Sequence, residues 1–179
     1  LTACPDKTAE LRNKYQKLAN GRKLVGISWK STDISQRRAK SKSTSLESWA
    51  PVLSQPNCYF INLQYGDVET EVVKLESNTN LKVYQDQEID PLVNLDGFAA
   101  QISALDLVIS TSNTTVHMAG ALGKRVWTLL PHIPDWRWTL DREDALWYPA
   151  MRLFRQSSIG DWQDVFKRVS HALSQSGMV

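Results

Sequence analysis

Apolar and polar positions alternate along this chain in blocks whose spacing changes repeatedly. Leu11, Tyr15 and Leu18 fall at i, i+4 and i+7 within 6–19, which predicts a helix that Gly21 stops, so residues 1–22 read as a lead-in helix. KLVGIS at 23–28 is a short apolar run between breakers, the pattern of a buried strand. Residues 30–43 are almost free of apolar side chains and carry no period; the whole of 29–44 reads as a long, mobile, basic loop. Helical spacing resumes at 45–54, with Ser45 as a candidate N-cap and Pro51 as a bend. Strands are expected at 57–63, 81–84, 106–110, 125–130 and 151–154. Helices are expected at 67–76, 95–104, 114–122 (closed by Gly123) and 161–173, the last with Trp162, Val165, Phe166 and Val169 on one face. Residues 131–150 read as a long loop.

Strand and helix alternate from end to end, and the strands are continuous apolar runs, as in a parallel sheet covered on both faces. The expected fold is therefore α/β: a doubly wound, mainly parallel, Rossmann-like sheet forming a single domain over 1–179. Composition agrees, with 42% apolar and 22% charged residues, the profile of a globular domain able to bury a core without staples. The net charge of +2 argues neither for nor against nucleic acid, and the basic cluster at 37–42 lacks interleaved aromatics, so no nucleic-acid partner is expected. No apolar run has the length of a membrane span. Two cysteines, Cys4 and Cys58, without metal spacing point to a reducing compartment, and the expected location is cytoplasmic.

In an open parallel sheet ligands sit beyond the carboxyl ends of the strands. Two turns there carry candidate chemistry. Ser110-Thr111-Ser112-Asn113-Thr114-Thr115 ends one strand and opens a helix; its small polar side chains let a ligand reach free N–H groups at a positive helix terminus, which suits a phosphate. His117 lies one turn further on. The competing explanations are that Ser112 or Asn113 simply caps a helix and that His117 is a packed core histidine. The second turn, Trp29-Lys30-Ser31-Thr32, brings a point charge at Lys30, and Arg37, Arg38, Lys40 and Lys42 beyond it form either a closing lid or a solvated basic loop. Glycine-rich phosphate loops, a metal-binding cluster, a GxSxG elbow and a Cys/His pair are all missing from the sequence, so neither a metal nor a cofactor is expected.

Residues 106–138, DLVISTSNTTVHMAGALGKRVWTLLPHIPDWRW, followed by DRED, WYP and MRLFRQ, resemble the C-terminal glycosyltransferase domain of bacterial tetratricopeptide-repeat proteins. That domain belongs to the two-Rossmann-domain class and is related more distantly to heptosyltransferases and O-linked N-acetylglucosamine transferases. Lys23–Trp29 and NLQYGD at 62–67 resemble its first two strands, and the likeness covers most of 24–162. The resemblance implies a donor site for a nucleotide diphosphate sugar, a substrate rather than a cofactor. Asn113, Thr114, Thr115 and His117 would hold the diphosphate, with Lys30, Ser31, Thr32 and Lys42 opposite. Gln64, Tyr65 and Gln85 would lie near the nucleoside. It also implies partners, an N-terminal Rossmann domain and tetratricopeptide repeats, and places the general base on the former. Relatives carry Asp where this chain has Asn113, which removes a charge. The aromatic loop, with Trp136, Trp138 and Trp147 after Trp127, either stacks on sugar or base or packs the loop itself, and Asp135 with Arg137 reads as its internal ion pair.

Overall fold

The computed structural model describes residues 1–31 and 35–175; for Arg37 and Arg38 it describes the backbone alone. Five parallel strands form one sheet: β1 (Lys23–Ser28), β2 (Cys58–Asn62), β3 (Leu107–Thr111), β4 (Val126–Leu130) and β5 (Met151–Arg155), in the order β2-β1-β3-β4-β5. The helices are α1 (Pro5–Ala19), α2 (Gln36–Lys42), α3 (Ala50–Leu53), α4 (Glu69–Thr79), α5 (Leu95–Ser103), α6 (Thr114–Ala121) and α7 (Trp162–Gln175).

Successive residues of each strand face opposite sides of the sheet, and both sides are apolar. Val25, Ile27, Ile109, Trp127, Leu129 and Phe154 form one core with residues of α3, α4 and α7. Leu24, Val108, Val126, Leu130 and Leu153 form the other with α1, α5 and α6. This two-sided burial is why the strands read as unbroken apolar runs. In β1, Gly26 allows the side chains of Leu63 and Leu105 to close over the strand; a Cβ there would lie 2.4 and 2.5 Å from them. The expected doubly wound α/β fold is the fold observed, and the sheet is parallel throughout.

Four local expectations are corrected. The segment 30–43 contains a helix, α2, because Gln, Arg, Ala and Lys favour helix even without an apolar stripe. Its end is fixed by Ser43, whose N–H and hydroxyl both donate to Ala39 O, at 3.0 and 2.7 Å. Residues 45–54 form a 3₁₀ turn, Leu46–Trp49, and then α3; Pro51 lies in the first turn of α3, where a missing N–H costs nothing, and the Ser45 side chain makes no cap bond. The strand expected at 81–84 contracts to one parallel bridge, Ile61 to Tyr84, with Tyr84 N–H donating to Phe60 O and its carbonyl accepting from Asn62. In α1 the buried positions are Leu11, Tyr15 and Ala19, while Leu18 is exposed.

Candidate functional site

The order of strands reverses at β1, which has β2 on one side and β3 on the other, with Ser28 in register with Ser110. Such a switch opens a crevice at the carboxyl edge. Both turns singled out from the sequence lie here, and one residue joins them. Asn113, the N-cap of α6, accepts from Thr115 N–H at 3.0 Å and, at 3.1 Å, from the Ser110 hydroxyl, whose one proton is shared with Thr111 O at 2.8 Å. Its Nδ2 donates to Ser28 Oγ at 2.7 Å and to Lys30 O at 2.8 Å. The amide thus fills both its acceptor and both its donor positions. A carboxylate could not donate to Lys30 O, so Asn113 is matched to this particular turn, and the loss of charge noted in the sequence is the gain of a crosslink.

Gln64 completes the clasp from the end of β2. It is buried, and its Oε1 accepts from Ser28 Oγ, Trp29 N–H and Lys30 N–H at 2.9, 2.9 and 2.7 Å. Gln64 and Gln85 both line a small cleft of about 210 Å³ that also includes Asn62, Gly66 and Asp86. Tyr65, next along the chain, is half-buried.

The remaining predicted residues surround this clasp. Lys30 Nζ forms an ion pair with Glu71 of α4, which also accepts from Trp29 Nε1 at 3.1 Å. Ser31 is buried and its N–H donates to Ser43 Oγ at 3.0 Å, closing the base of the excursion that holds α2. Thr32 lies outside the described residues. Thr114 is exposed at the helix start; Thr115 is fully buried, and its hydroxyl is without a partner among the described residues. Lys42, half-buried at the end of α2, lies close enough that its charge is felt at His117.

His117 sits under the aromatic loop. Its ring stacks on Trp138 with centroids 5.2 Å apart, and Tyr148 meets it edge-on at 5.9 Å with its hydroxyl 3.2 Å from Nδ1. Trp138 is itself buried and donates from Nε1 to Ser112 Oγ at 2.9 Å. Burial holds the imidazole pKa below its ordinary value; Arg137 and Lys42 push it the same way and Asp135 opposes them. Sequence reasoning did not assign Trp138, Tyr148, Ser28 or Glu71 to the site. The signal for the first two was present in the aromatic density of 136–148 beyond a strand's carboxyl end.

The aromatic loop is packed in part, as one of the two explanations offered for it expects. Trp127 and Trp138 are packed inside. Trp136 and Trp147 are exposed, 6.4 Å apart and perpendicular, with the Arg137 guanidinium over Trp136. Arg137 and Asp135 form the expected ion pair at 2.7 Å. Larger hollows, of about 690 and 870 Å³, lie between β5 and α7 and at the amino-terminal edge of the sheet, away from the switch point. Among the described residues no group of His, Cys, Asp or Glu is arranged to hold a metal ion, and no helix is long and apolar enough to cross a membrane.

No protein-family model matches the chain. Among curated proteins it is 37% identical over 169 residues to Protein FlbA of Caulobacter vibrioides, a likeness covering 94% of this chain and 28% of that protein. The chain thus spans little more than a quarter of this relative's length. Among solved structures it superposes on ADP-heptose lipopolysaccharide heptosyltransferase II of E. coli with a TM-score of 0.63 at 15% identity, over 99% of this chain and 54% of that one. A glycosyl transferase family 9 protein of Veillonella parvula gives 0.55 at 8% identity, over 99% and 52%. The C-terminal domain of LpcC, a glycosyl transferase group 1 family protein of Francisella tularensis, gives 0.54 at 13% identity, over 98% and 86%. At these identities the likeness is one of fold, and the fold is glycosyltransferase-like.

Proposed function

We propose that this chain is the donor-binding half of a glycosyltransferase that takes a nucleotide diphosphate sugar, with the diphosphate seated at the switch point between β1 and β3. The observation that carries this is the Asn113 clasp. It holds the Lys30 turn against the start of α6, so first-turn N–H groups, the exposed Thr114 hydroxyl, His117 and the Lys42 charge share one edge. Glycosyl transfer breaks the bond between the anomeric carbon and the diphosphate oxygen, and charge gathers on that oxygen. Preorganised donors at the α6 terminus stabilise it as it forms. Lys30 exchanges Glu71 for phosphate when the donor enters. Gln85 and Tyr65, beside the cleft next to Gln64, flank the nucleoside.

The general base and the acceptor site belong to a second Rossmann domain, with tetratricopeptide repeats as a further partner of a longer cytoplasmic protein. The 179-residue chain alone then has little or no transferase activity. A non-catalytic binding module is the second reading; Asn113 favours it, because its saturated side chain leaves nothing to offer a sugar or a cation.

Calorimetric titration with uridine, guanosine and adenosine diphosphates tests the site. Binding by the wild-type chain is expected to weaken about tenfold in Thr114→Ala and in Lys42→Ala, the loss of one charge-assisted contact each. Absence of binding up to millimolar concentration sinks the donor-site reading, and equal binding by both variants moves the site elsewhere.

A further inference from the structure

Of the two residues that touch His117 through their rings, one is held by an unusual notch. Gly120 lies one turn beyond His117 on α6, and a Cβ at Gly120 would come within 2.5 Å of Tyr148 Cγ. The missing side chain is what lets the phenol lie on the helix, with its hydroxyl 3.2 Å from His117 Nδ1. Trp138 stacks on the ring's face and leaves its edges open. Tyr148 therefore occupies one nitrogen of His117, and Nε2 makes no hydrogen bond among the described residues.

We propose that Tyr148 is a positioning residue: its hydroxyl donates to Nδ1 and so fixes His117 in the tautomer that carries its proton on Nε2. A neutral imidazole has one N–H and one lone pair, and a phenol donates more readily than it accepts, so the Tyr148 hydroxyl beside Nδ1 favours the lone pair there and the proton on Nε2. With Nδ1 as the acceptor, His117 presents an N–H donor to the anion at the Asn113–Thr115 turn without bearing a charge. In the opposite tautomer Nε2 would present a lone pair to a phosphate and repel it. The charged groups facing His117 are Lys42 from α2 and Arg137 and Asp135 from the 3₁₀ turn at Trp136–Trp138; Tyr148 is the titratable neighbour from the loop. A neutral donor suits a site where two of these three charges are already positive. The role at the anion rests on the donor-site reading above; the tautomer itself does not.

Two-bond proton–nitrogen spectra of the ¹⁵N-labelled chain read the tautomer directly. Wild-type His117 is expected to show a protonated Nε2 and an unprotonated Nδ1 at pH 7.5, and the reverse pattern overturns the proposal. Tyr148→Phe keeps the ring in the Gly120 notch and removes only the hydroxyl, so its spectra should move toward a mixture of tautomers. Gly120→Ala unseats the intact phenol and should do the same. Uridine, guanosine or adenosine diphosphate binding should weaken roughly threefold to tenfold in Tyr148→Phe at pH 7.5, the worth of one hydrogen bond. That difference should shrink once the pH is low enough to protonate the folded imidazole, which burial pushes below its ordinary range, because the imidazolium carries both protons regardless of Tyr148. Unchanged affinity and pH profile in a variant whose tautomer has shifted overturn the role at the anion. If the wild-type chain binds none of the nucleotides, the donor-site reading falls while the spectra still decide the tautomer.

Discussion

The clasp of Ser28, Gln64 and Asn113 and the aromatic loop 131–150 flank the same helix start, and they use their polar groups in opposite ways. In the clasp every strong donor and acceptor is turned inward: Gln64 Oε1 takes three hydrogen bonds and the Asn113 amide makes four. The loop buries one tryptophan, leaves two exposed, and holds a histidine by one nitrogen only. A saturated buried network sets the shape of an edge because any displacement leaves a polar group unpaired in a medium that punishes it. The Asn113 amide has no valence left for a ligand. On the donor-site reading, recognition falls to the exposed Thr114 and the half-buried Lys42 and His117 around it, and the clasp acts on a ligand only through where it puts them.

The sharpest contrast lies inside the loop. Trp138 is 1% exposed, stacks on His117 and donates to Ser112, whereas Trp136 is 72% exposed. Trp138→Ala is expected to lower stability by about 3–5 kcal/mol, the usual cost of emptying a large aromatic site. Trp136→Ala should change it by less than about 0.5 kcal/mol. Urea unfolding of the two variants measures both. A Trp138→Ala variant as stable as wild type would show that the loop is not packed on α6, and the stack on His117 would lose its structural meaning.

The clasp is tested by keeping or removing one oxygen. Gln64→Leu leaves the Trp29 and Lys30 N–H groups and the Ser28 hydroxyl without their acceptor, at a cost of about 3 kcal/mol. Gln64→Glu keeps an acceptor for all three donors but buries a carboxylate beside Tyr65 O, so it should cost less than Gln64→Leu without matching wild type. If both variants lost stability equally, side-chain packing rather than hydrogen bonding would be holding the two turns together.

What the sequence made legible follows the same division. The five strands stood out because each is an apolar run buried on two faces, and the switch-point turns followed from their ends. The Asn113–Thr115 turn was legible both as a cap and as a ligand edge, and it is a cap whose side chain also reaches Ser28 and Lys30. That reach spans more than 80 residues of chain, and no local pattern encodes it. Gln64 drew attention only as a polar residue after a strand; its three donors come from residues 28–30, again a tertiary fact. Helix α2 was missed because it has propensity without amphipathic spacing, so hydrophobic periodicity had nothing to detect. The strand expected at 81–84 failed for the opposite reason. Its apolar alternation is real, with Val83 buried, but Asp86 just beyond is drawn to Tyr15 and Lys14 of α1, and the pairing with β2 ends at Tyr84.

The smallest expected effect is a slope of stability against pH, and it distinguishes a neutral stack from an ion-pair site. Burial between Trp138 and Tyr148 lowers the His117 pKa in the folded chain below its ordinary value of 6.5. As pH falls through 6.5 the unfolded chain takes up this proton first, so unfolding is favoured and stability is lost until the folded imidazole titrates as well. His117→Gln removes that contribution. Urea midpoints followed from pH 7.5 to pH 5 should therefore fall more steeply for wild type than for the variant. A wild type that instead gained on His117→Gln as pH fell would mean that Asp135 outweighs burial, Arg137 and Lys42 together. The aromatic loop would then hold an imidazolium, a charged anion contact needing no tautomer control, and its difference from the neutral, saturated clasp would be one of charge rather than of open valence.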